Sequence, residues 1–474
     1  MERLMKADER KGMCLLVASA ISMAMLLIGF TVGYSSCALP RIRDSVKTSD
    51  INDEQMSWVP ASVPLAASVG GLLGGLLITY IGRRYTLIGT GVPFFISWIL
   101  VAITSNLHLV IAGRVLSGIC IGVIHSAFPI YIVETVQPKL RGALGLLPIA
   151  FRNGAFRNGG ILLMHLACSY LYISTIAYIA AALSVAIFLL FFDTPESPRW
   201  YIAKGDDHNA RKALQWLRGK NYNIENEMQD LTQFQIEADK TKGIALKQMF
   251  YMENTPAILV SFGLMIFQQL TGTHIVMFYC IYNIMTGTIY IESLTIIIDI
   301  TGVLSVIIAI ILVDIIGRKM LLYISSGSII VSLLTLGVLA YIQESNDKIS
   351  VVSLSQLCLT LHVFGSSVGY ESIPWLMLGE ILPLKIRGTV ASLVTGITWL
   401  CTHHMVTSSI NILRSPALYS IFFSFAFIHM VAILFVRLCV PETRGKSLEE
   451  IEINLTQRVK IINRCDENAD ANVT

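Results

Sequence analysis

One charged pattern occurs twice in this chain and sets most of what it can become. Glu134-Thr-Val-Gln-Pro-Lys-Leu-Arg141-Gly142 returns as Glu380-Ile-Leu-Pro-Leu-Lys-Ile-Arg387-Gly388. Each copy ends a long apolar run with an acid, then reaches Arg-Gly through a stretch containing Pro and Lys. Gly82-Arg83-Arg84 and Gly317-Arg318-Lys319 stand upstream; Pro195-Glu196-Ser197 and Pro441-Glu442-Thr443 stand downstream. From Arg141 to Pro195 is 54 positions, and from Arg387 to Pro441 is 54 again. Such a period is too long for a solenoid, whose repeats run roughly 20 to 50 residues. The chain therefore reads as two related halves.

Composition says what the halves are made of. Hydrophobic residues are 54% and charged residues only 14% of the 474, against about 25% charged in soluble domains. A window of about 20 apolar residues spans a bilayer core of roughly 30 Å, and twelve such windows can be drawn. In the first half they run from Gly12 to Ser36, Ser57 to Tyr80, Tyr85 to Ser105, Leu109 to Val133, Ala143 to Ala167 and Tyr172 to Phe192. In the second they run from Pro256 to Tyr282, Ile291 to Val313, Met320 to Ile342, Val351 to Leu378, Thr389 to Leu413 and Ala417 to Val440. The expected fold is all-α and integral to the membrane, with twelve transmembrane helices in two pseudo-symmetric six-helix halves. The halves cover residues 1–192 and 255–440, joined by a polar linker (193–254) and followed by a polar tail (441–474). Helical apolar spacing at Ala210, Ala213, Leu214 and Leu217 predicts short surface helices in the linker. Duplicated membrane halves are an arrangement of secondary transporters.

Charge placement orients the chain. With both termini, the turns near 82, 139, 318 and 385 and the linker on one side, the other side holds only Arg41, Arg43, Lys47, Lys348 and Arg414. Arg114, Arg152 and Arg157 fall deeper inside spans, and the rest of the 35 Lys and Arg share the first side, counting Arg437 at the end of its span. That side is expected to be cytoplasmic, which would leave the glycosylation patterns at Asn454 and Asn472 silent. A net charge of +3 does not suggest nucleic acid. The nine cysteines lie mostly inside apolar runs, without CxxC, and read as small buried hydrophobes. There is no HExxH, GxSxG or P-loop, so neither an enzyme nor a nucleotide-driven pump is expected, and no cofactor is implied. Adjacent His403 and His404 do not share a helix face as paired metal ligands would.

The motifs, taken together, resemble the sugar porters of the major facilitator superfamily over essentially the whole chain. They are Gly82-Arg83-Arg84; Arg114 with Gly118 and Gly122; Pro129-x-Tyr131-x2-Glu134 with Arg141-Gly142; Pro195-Glu-Ser-Pro-Arg199; Gln268-Gln269-Leu-Thr-Gly272; Asp314-x2-Gly317-Arg318-Lys319; Ile373-Pro374-Trp375 with Glu380; and Pro441-Glu-Thr-Arg-Gly445. Trp58-Val59, Pro64-Leu-Ala-Ala67 and Gly145-Leu-Leu-Pro-x-Ala-Phe151 look most like the insect facilitated trehalose transporters. The resemblance implies alternating access, with ion pairs among Arg83, Arg84, Glu134, Arg141, Glu196, Asp314, Arg318, Lys319, Glu380, Arg387 and Glu442 joining helices and parting as the halves rock. Positive-inside anchoring accounts for the basic residues alone but not for the repeated acids. Arg114, deeper in the membrane, needs a partner, and an acid of the same half is expected.

A neutral sugar calls for amides, which donate and accept at once, and for an aromatic wall. Gln268, Gln269, Trp375 and Trp399 match the family's sugar-contacting positions. Adjacent Gln residues in an apolar span also form helix–helix hydrogen bonds, and one of this pair can serve that purpose. Three family Asn positions are occupied by His274, Thr398 and Gly302, so the sugar would be read differently. Thr79 replaces the acid before the first Gly-Arg-Arg, which predicts a looser gate there. Glu371-Ser372 replaces the family's Gly-Pro. A carboxylate at Glu371, one turn before Trp375, must be paired, hydrated or protonated. His274 and Glu371 are expected to border the cavity and to make transport pH-sensitive; the alternative places Glu371 in an aqueous vestibule.

Span 5 carries a direct repeat, Ala150-Phe-Arg-Asn-Gly154 followed by Ala155-Phe-Arg-Asn-Gly159. Five added residues turn a helix by about 140° net, so a cavity-lining face is expected to rotate away and the following loop to be short. Span 1 lacks the acid that proton-coupled sugar porters place there, which favours a uniporter for trehalose or a hexose at the plasma membrane. The alternative is a transport-incompetent sugar sensor or a relative with a different neutral solute. The expected partners are a small neutral sugar and the lipid bilayer; oligomeric state is not fixed by the sequence.

Overall fold

The computed structural model describes residues 17, 19–36, 53–103, 106–135, 147–219, 222–240, 254–274, 276, 291–345, 352–413 and 418–444. Every regular element among them is a helix. In the first half these are α1 (Ser19–Ser36), α2 (Asp53–Tyr80), α3 (Arg83–Gly89), α4 (Gly91–Ile103), α5 (Leu107–Thr135), α6 (Leu147–Tyr170) and α7 (Ile173–Phe192). The linker holds α8 (Pro198–Ala203), α9 (Asp207–Arg218) and α10 (Glu225–Lys240). The second half has α11 (Thr255–Gln269), α12 (Ile291–Ile316), α13 (Arg318–Ser345), α14 (Val352–Val368), α15 (Ile373–Ile381), α16 (Leu384–Leu413) and α17 (Leu418–Leu438).

Eight spans among the described residues are long and apolar enough to cross a bilayer. The other expected spans fall short for identifiable reasons. The Arg-Asn-Gly repeat makes α6 polar, and α11 stops after 15 residues, where Gly272 turns the chain with φ 77°. Span 10 is two helices, because the chain turns at Gly369–Ser372 and restarts with Pro374 in the first turn of α15, where a missing N–H costs nothing. Span 11 begins at Leu384, earlier than the apolar run suggests, since α16 takes in the polar Lys385-Ile-Arg387.

The halves meet along two seams. In one, α2 packs against α5 of its own half and α16 of the other. Gly70 lies on the Ile119 carbonyl, while Gly71 meets Gly396 and Gly75 meets Ser392, so added side chains would collide with backbone or neighbour. In the other seam, α6 packs on α12. The span 5 repeat is absorbed in one unbroken helix, and only Leu171 and Tyr172 connect it to α7, as the preserved spacing predicts.

Large apolar side chains such as Ile103, Leu189, Ile311, Leu357 and Phe427 stay exposed around the outside. In water such a belt would be a liability; against lipid tails it is the expected surface. The linker folds on its own small core of Ile202, Ala210, Leu214, Ile224 and Met228. Asp206 caps α9 through the Asn209 N–H at 3.1 Å, as a short acidic N-cap does. Buried Arg218 ends that helix by pairing with Glu227 at 2.6 Å and donating to the Thr135 carbonyl at 3.0 Å. The linker is thus fastened to the end of α5.

Candidate functional site

A cavity lies between the halves, enclosing about 1080 Å³ together with the solvent space it opens to. Its walls bring together Gln268, Gln269 and His274 beyond α11, Glu371, Ser372 and Trp375 at the α14–α15 break, and Thr398, Trp399 and Thr402 on α16. The first half contributes Val32 of α1, His125 of α5, and Gly154 and Arg157 of α6. All six residues proposed from sequence as sugar contacts therefore line one space, as does Glu371.

Their hydrogen bonds sort them. Gln269 Oε1 accepts from the Thr402 hydroxyl at 2.8 Å, the helix–helix use anticipated for one member of the pair. Gln268 Nε2 donates to the Glu371 carbonyl at 3.2 Å, while its Oε1 is buried without a partner. The Trp399 indole N–H and the Ser372 hydroxyl are likewise buried and unpartnered. Thr398 donates to the Val394 carbonyl of its own helix at 2.7 Å, so only its remaining acceptor capacity faces the space. His125, which sequence reasoning did not single out, sits with ring centroids 5.2 Å from Trp375 and 5.3 Å from Trp399. Its Nδ1 lies 3.0 Å from the Ile121 carbonyl, which can only accept, so Nδ1 carries the proton and Nε2 of the neutral ring is an acceptor.

Glu371 is paired rather than hydrated. It forms an ion pair with Arg157 across the two halves, and its Oε2 accepts from Asn158 Nδ2 at 3.1 Å and from Ser367 at 2.8 Å. Both first-half partners come from the second copy of the span 5 repeat. The expectation that the repeat turns the lining face of span 5 away is corrected: Gly154, Arg157, Asn158 and Ile161 form a cavity-facing stripe at helical spacing. Asn158 also occupies the space beside Gly302, with Nδ2 3.3 Å from where a Cβ would stand. An amide absent from span 8 is thus supplied by span 5. Nearby, buried His165 of α6 and Asp299 of α12 meet at 2.5 Å. An acid within the apolar run of α12 was the available signal, since charges inside spans are rarely idle.

At one end of the bundle the repeated charges build the same knot twice. Arg83 pairs with Glu134 at 2.8 Å, and Ser197 donates to the same carboxylate at 2.5 Å. Arg318 pairs with Glu380 at 3.1 Å, and Thr443 donates to it at 2.7 Å. Glu196 accepts the Arg83 and Arg84 N–H groups, both at 2.9 Å; Glu442 accepts those of Arg318 and Lys319 at 3.2 and 3.0 Å. Arg84 donates to the Phe191 and Phe192 carbonyls ending α7, as Lys319 does to the Arg437 carbonyl ending α17. These bonds satisfy helix C-terminal carbonyls with cations. Burial pushes the Glu196 carboxyl above the ordinary carboxylate range, against three N–H donors that pull it down. The partners in each knot come from one half and the segment directly after it, so each knot braces a half against its own linker or tail.

One expectation on charge falls differently. Arg114 finds no carboxylate among the described residues. It donates to the Thr31 carbonyl at 2.8 Å and the Ser35 hydroxyl at 2.5 Å and lies over the Tyr34 ring. Arg387 donates to the Leu382 carbonyl, closing the turn before α16. Arg141 and the side chain of Asp314 lie outside the described residues. His403 Nδ1 donates to the Ala61 carbonyl, 2.9 Å away across the halves, while His404 is exposed.

A membrane bundle of paired halves, with charged braces at one end and a polar, aromatic cavity between them, defines a solute transporter. A family model described as "Sugar (and other) transporter" matches residues 14–455, and the chain belongs to that family, a transporter and not an enzyme. It is 48% identical over 461 residues to the facilitated trehalose transporter Tret1 of Bombyx mori, covering 96% of this chain and 90% of that protein. It is 40% identical over 452 residues to Tret1 of Apis mellifera ligustica, covering 94% and 89%. Of Tret1 of Anopheles gambiae, at 41% identity, the chain spans 56%. Among solved structures it is similar to the proton:xylose symporter XylE bound to 6-bromo-6-deoxy-D-glucose. The TM-score is 0.81 at 21% sequence identity, over 94% of this chain and 100% of that one. The fold is that of the major facilitator superfamily.

Proposed function

We propose that the chain is a facilitative uniporter for a neutral sugar, trehalose first and hexoses next, working by alternating access in the plasma membrane with both termini cytoplasmic. The observation that carries this reading is that three residues lining a cavity walled by two indoles, Gln268, Trp399 and Ser372, each hold a buried, unpartnered polar atom (Oε1, Nε1 and Oγ). Buried polar atoms are normally satisfied, and hydroxyls over a pyranose face would satisfy these. Arg114 is held by backbone and hydroxyl groups and α1 carries no acid, which favours downhill movement over proton coupling. The domain limits at 192, 254 and 440 and a part for the two knots in gating belong to the same proposal.

Uptake of labelled trehalose and glucose into cells expressing the chain tests it, with surface expression measured in parallel. Saturable uptake, lost in Gln268→Ala, is expected. No uptake of either sugar by protein at the surface would turn the assignment to a sensor. The same assay across pH addresses His274 and Glu371: if Glu371→Gln leaves the pH profile unchanged, Glu371 does not set it.

A further inference from the structure

A second cavity adjoins the first, and the two share Val32, Arg157, Gln268, Gln269, His274 and Glu371 as a common wall. On one side of this wall lies the lobe of Trp375 and Trp399. The other lobe, toward Asp299, adds the polar Thr273, Ser366 and Asn158 and the apolar Ile161, Ile298 and Val363. Each lobe thus offers both hydroxyl partners and an apolar face, which is what one pyranose ring requires.

The wall is held from both halves. Arg157 and Asn158 reach Glu371 from α6, Ser367 reaches it from α14, and Gln268 fixes the Glu371 carbonyl. Because the pair is internally neutral, it adds no demand for a charged ligand, yet its remaining guanidinium donors can bind ether and hydroxyl oxygens at the junction. A single hexose would fill one lobe and leave the other to water.

We propose that the site consists of two subsites, one per lobe, and that it selects a two-ring sugar whose glycosidic junction lies against the Arg157–Glu371 pair. This rests on the sugar-transport reading and gives it a substrate size. Selectivity for two rings over one comes from the Asp299 lobe, and Asn158 and Val363 are specificity-determining there.

The test is equilibrium binding of trehalose and glucose to the purified full chain in nanodiscs, followed by tryptophan fluorescence. Wild type is expected to bind trehalose at least tenfold more tightly than glucose. Val363→Phe, and separately Ile161→Phe, should cut that ratio about tenfold by filling the Asp299 lobe, whereas Trp375→Ala should weaken both sugars together. Melting temperature in the same nanodiscs, with the two Phe variants compared, separates loss of a subsite from loss of fold. Equal affinity for the two sugars in wild type, or a ratio unmoved by both folded Phe variants, would overturn the two-subsite proposal while leaving sugar transport standing. Binding of neither sugar to wild type would overturn both.

Discussion

Arg157 and Glu371 show how two locally unfavourable residues become one favourable feature. Alone, each would be a charge inside a span; together they join the halves, with side chains only 26% and 22% exposed. Removing one partner of such a pair strands the other, at about 3 kcal/mol toward the low end for buried pairs. Arg157→Gln and Glu371→Gln should each lower the melting temperature, and the double variant should lose clearly less than the sum of the two. Thermal unfolding of the four proteins checks this; additive losses would mean that the pair contributes no coupling. Gln268 and Trp375, which line the cavity, could be picked out in the sequence because their neighbours form recognisable patterns. The pair could not, because its members are distant in sequence and the repeat that supplies Arg157 reads as turning the lining face of span 5 away until the helix is built.

Among the elements, the two knots are the clearest consequence of the repeated charges. Gly82 and Gly317 stand at the same place in each, with φ of 106° and 87°, and each faces the carboxylate of Glu196 or Glu442. Alanine at either position meets an unfavourable backbone conformation and a filled space, at roughly 1–3 kcal/mol for the backbone alone. Gly205→Ala, at φ 77° in open space, should cost less than either. Melting temperatures of the three variants give the ranking. The raised carboxyl of Glu196 binds its proton more tightly folded than unfolded, so its contribution is full at acid pH and is lost as pH rises through the elevated value. Glu196→Gln should therefore flatten that part of the stability–pH curve, measured by melting across pH.

For the whole molecule, alternating access has to move surfaces that are packed closely here. The α2–α16 seam brings Gly71 to Gly396 and Gly75 to Ser392, and the α6–α12 seam carries the His165–Asp299 contact. Rocking of the halves must shear these seams and the Arg157–Glu371 pair, which join one half to the other. Gly75→Val should wedge the first seam and disfavour the conformation described here. A ligand responds only through differential affinity for the states, so maximal uptake should fall at least tenfold while surface expression holds. Uptake kinetics measure this, and unchanged maximal uptake would show that the seam does not limit transport.

The membrane fold, its two halves and the brace residues were determined by the sequence itself, because lipid demands long apolar helices and tolerates charge only in fixed places. Gln268, Gln269, Trp375 and Trp399 could be named because they match a family's sugar-contacting positions, and all four line the cavity. Only the tertiary structure decided that Arg114 is satisfied by a carbonyl and a hydroxyl, that Asn158 stands beside Gly302, and that Arg157 neutralises Glu371. Which partner a buried polar group finds depends on helix rotation and crossing, and those are set by packing across many residues at once rather than by any local pattern.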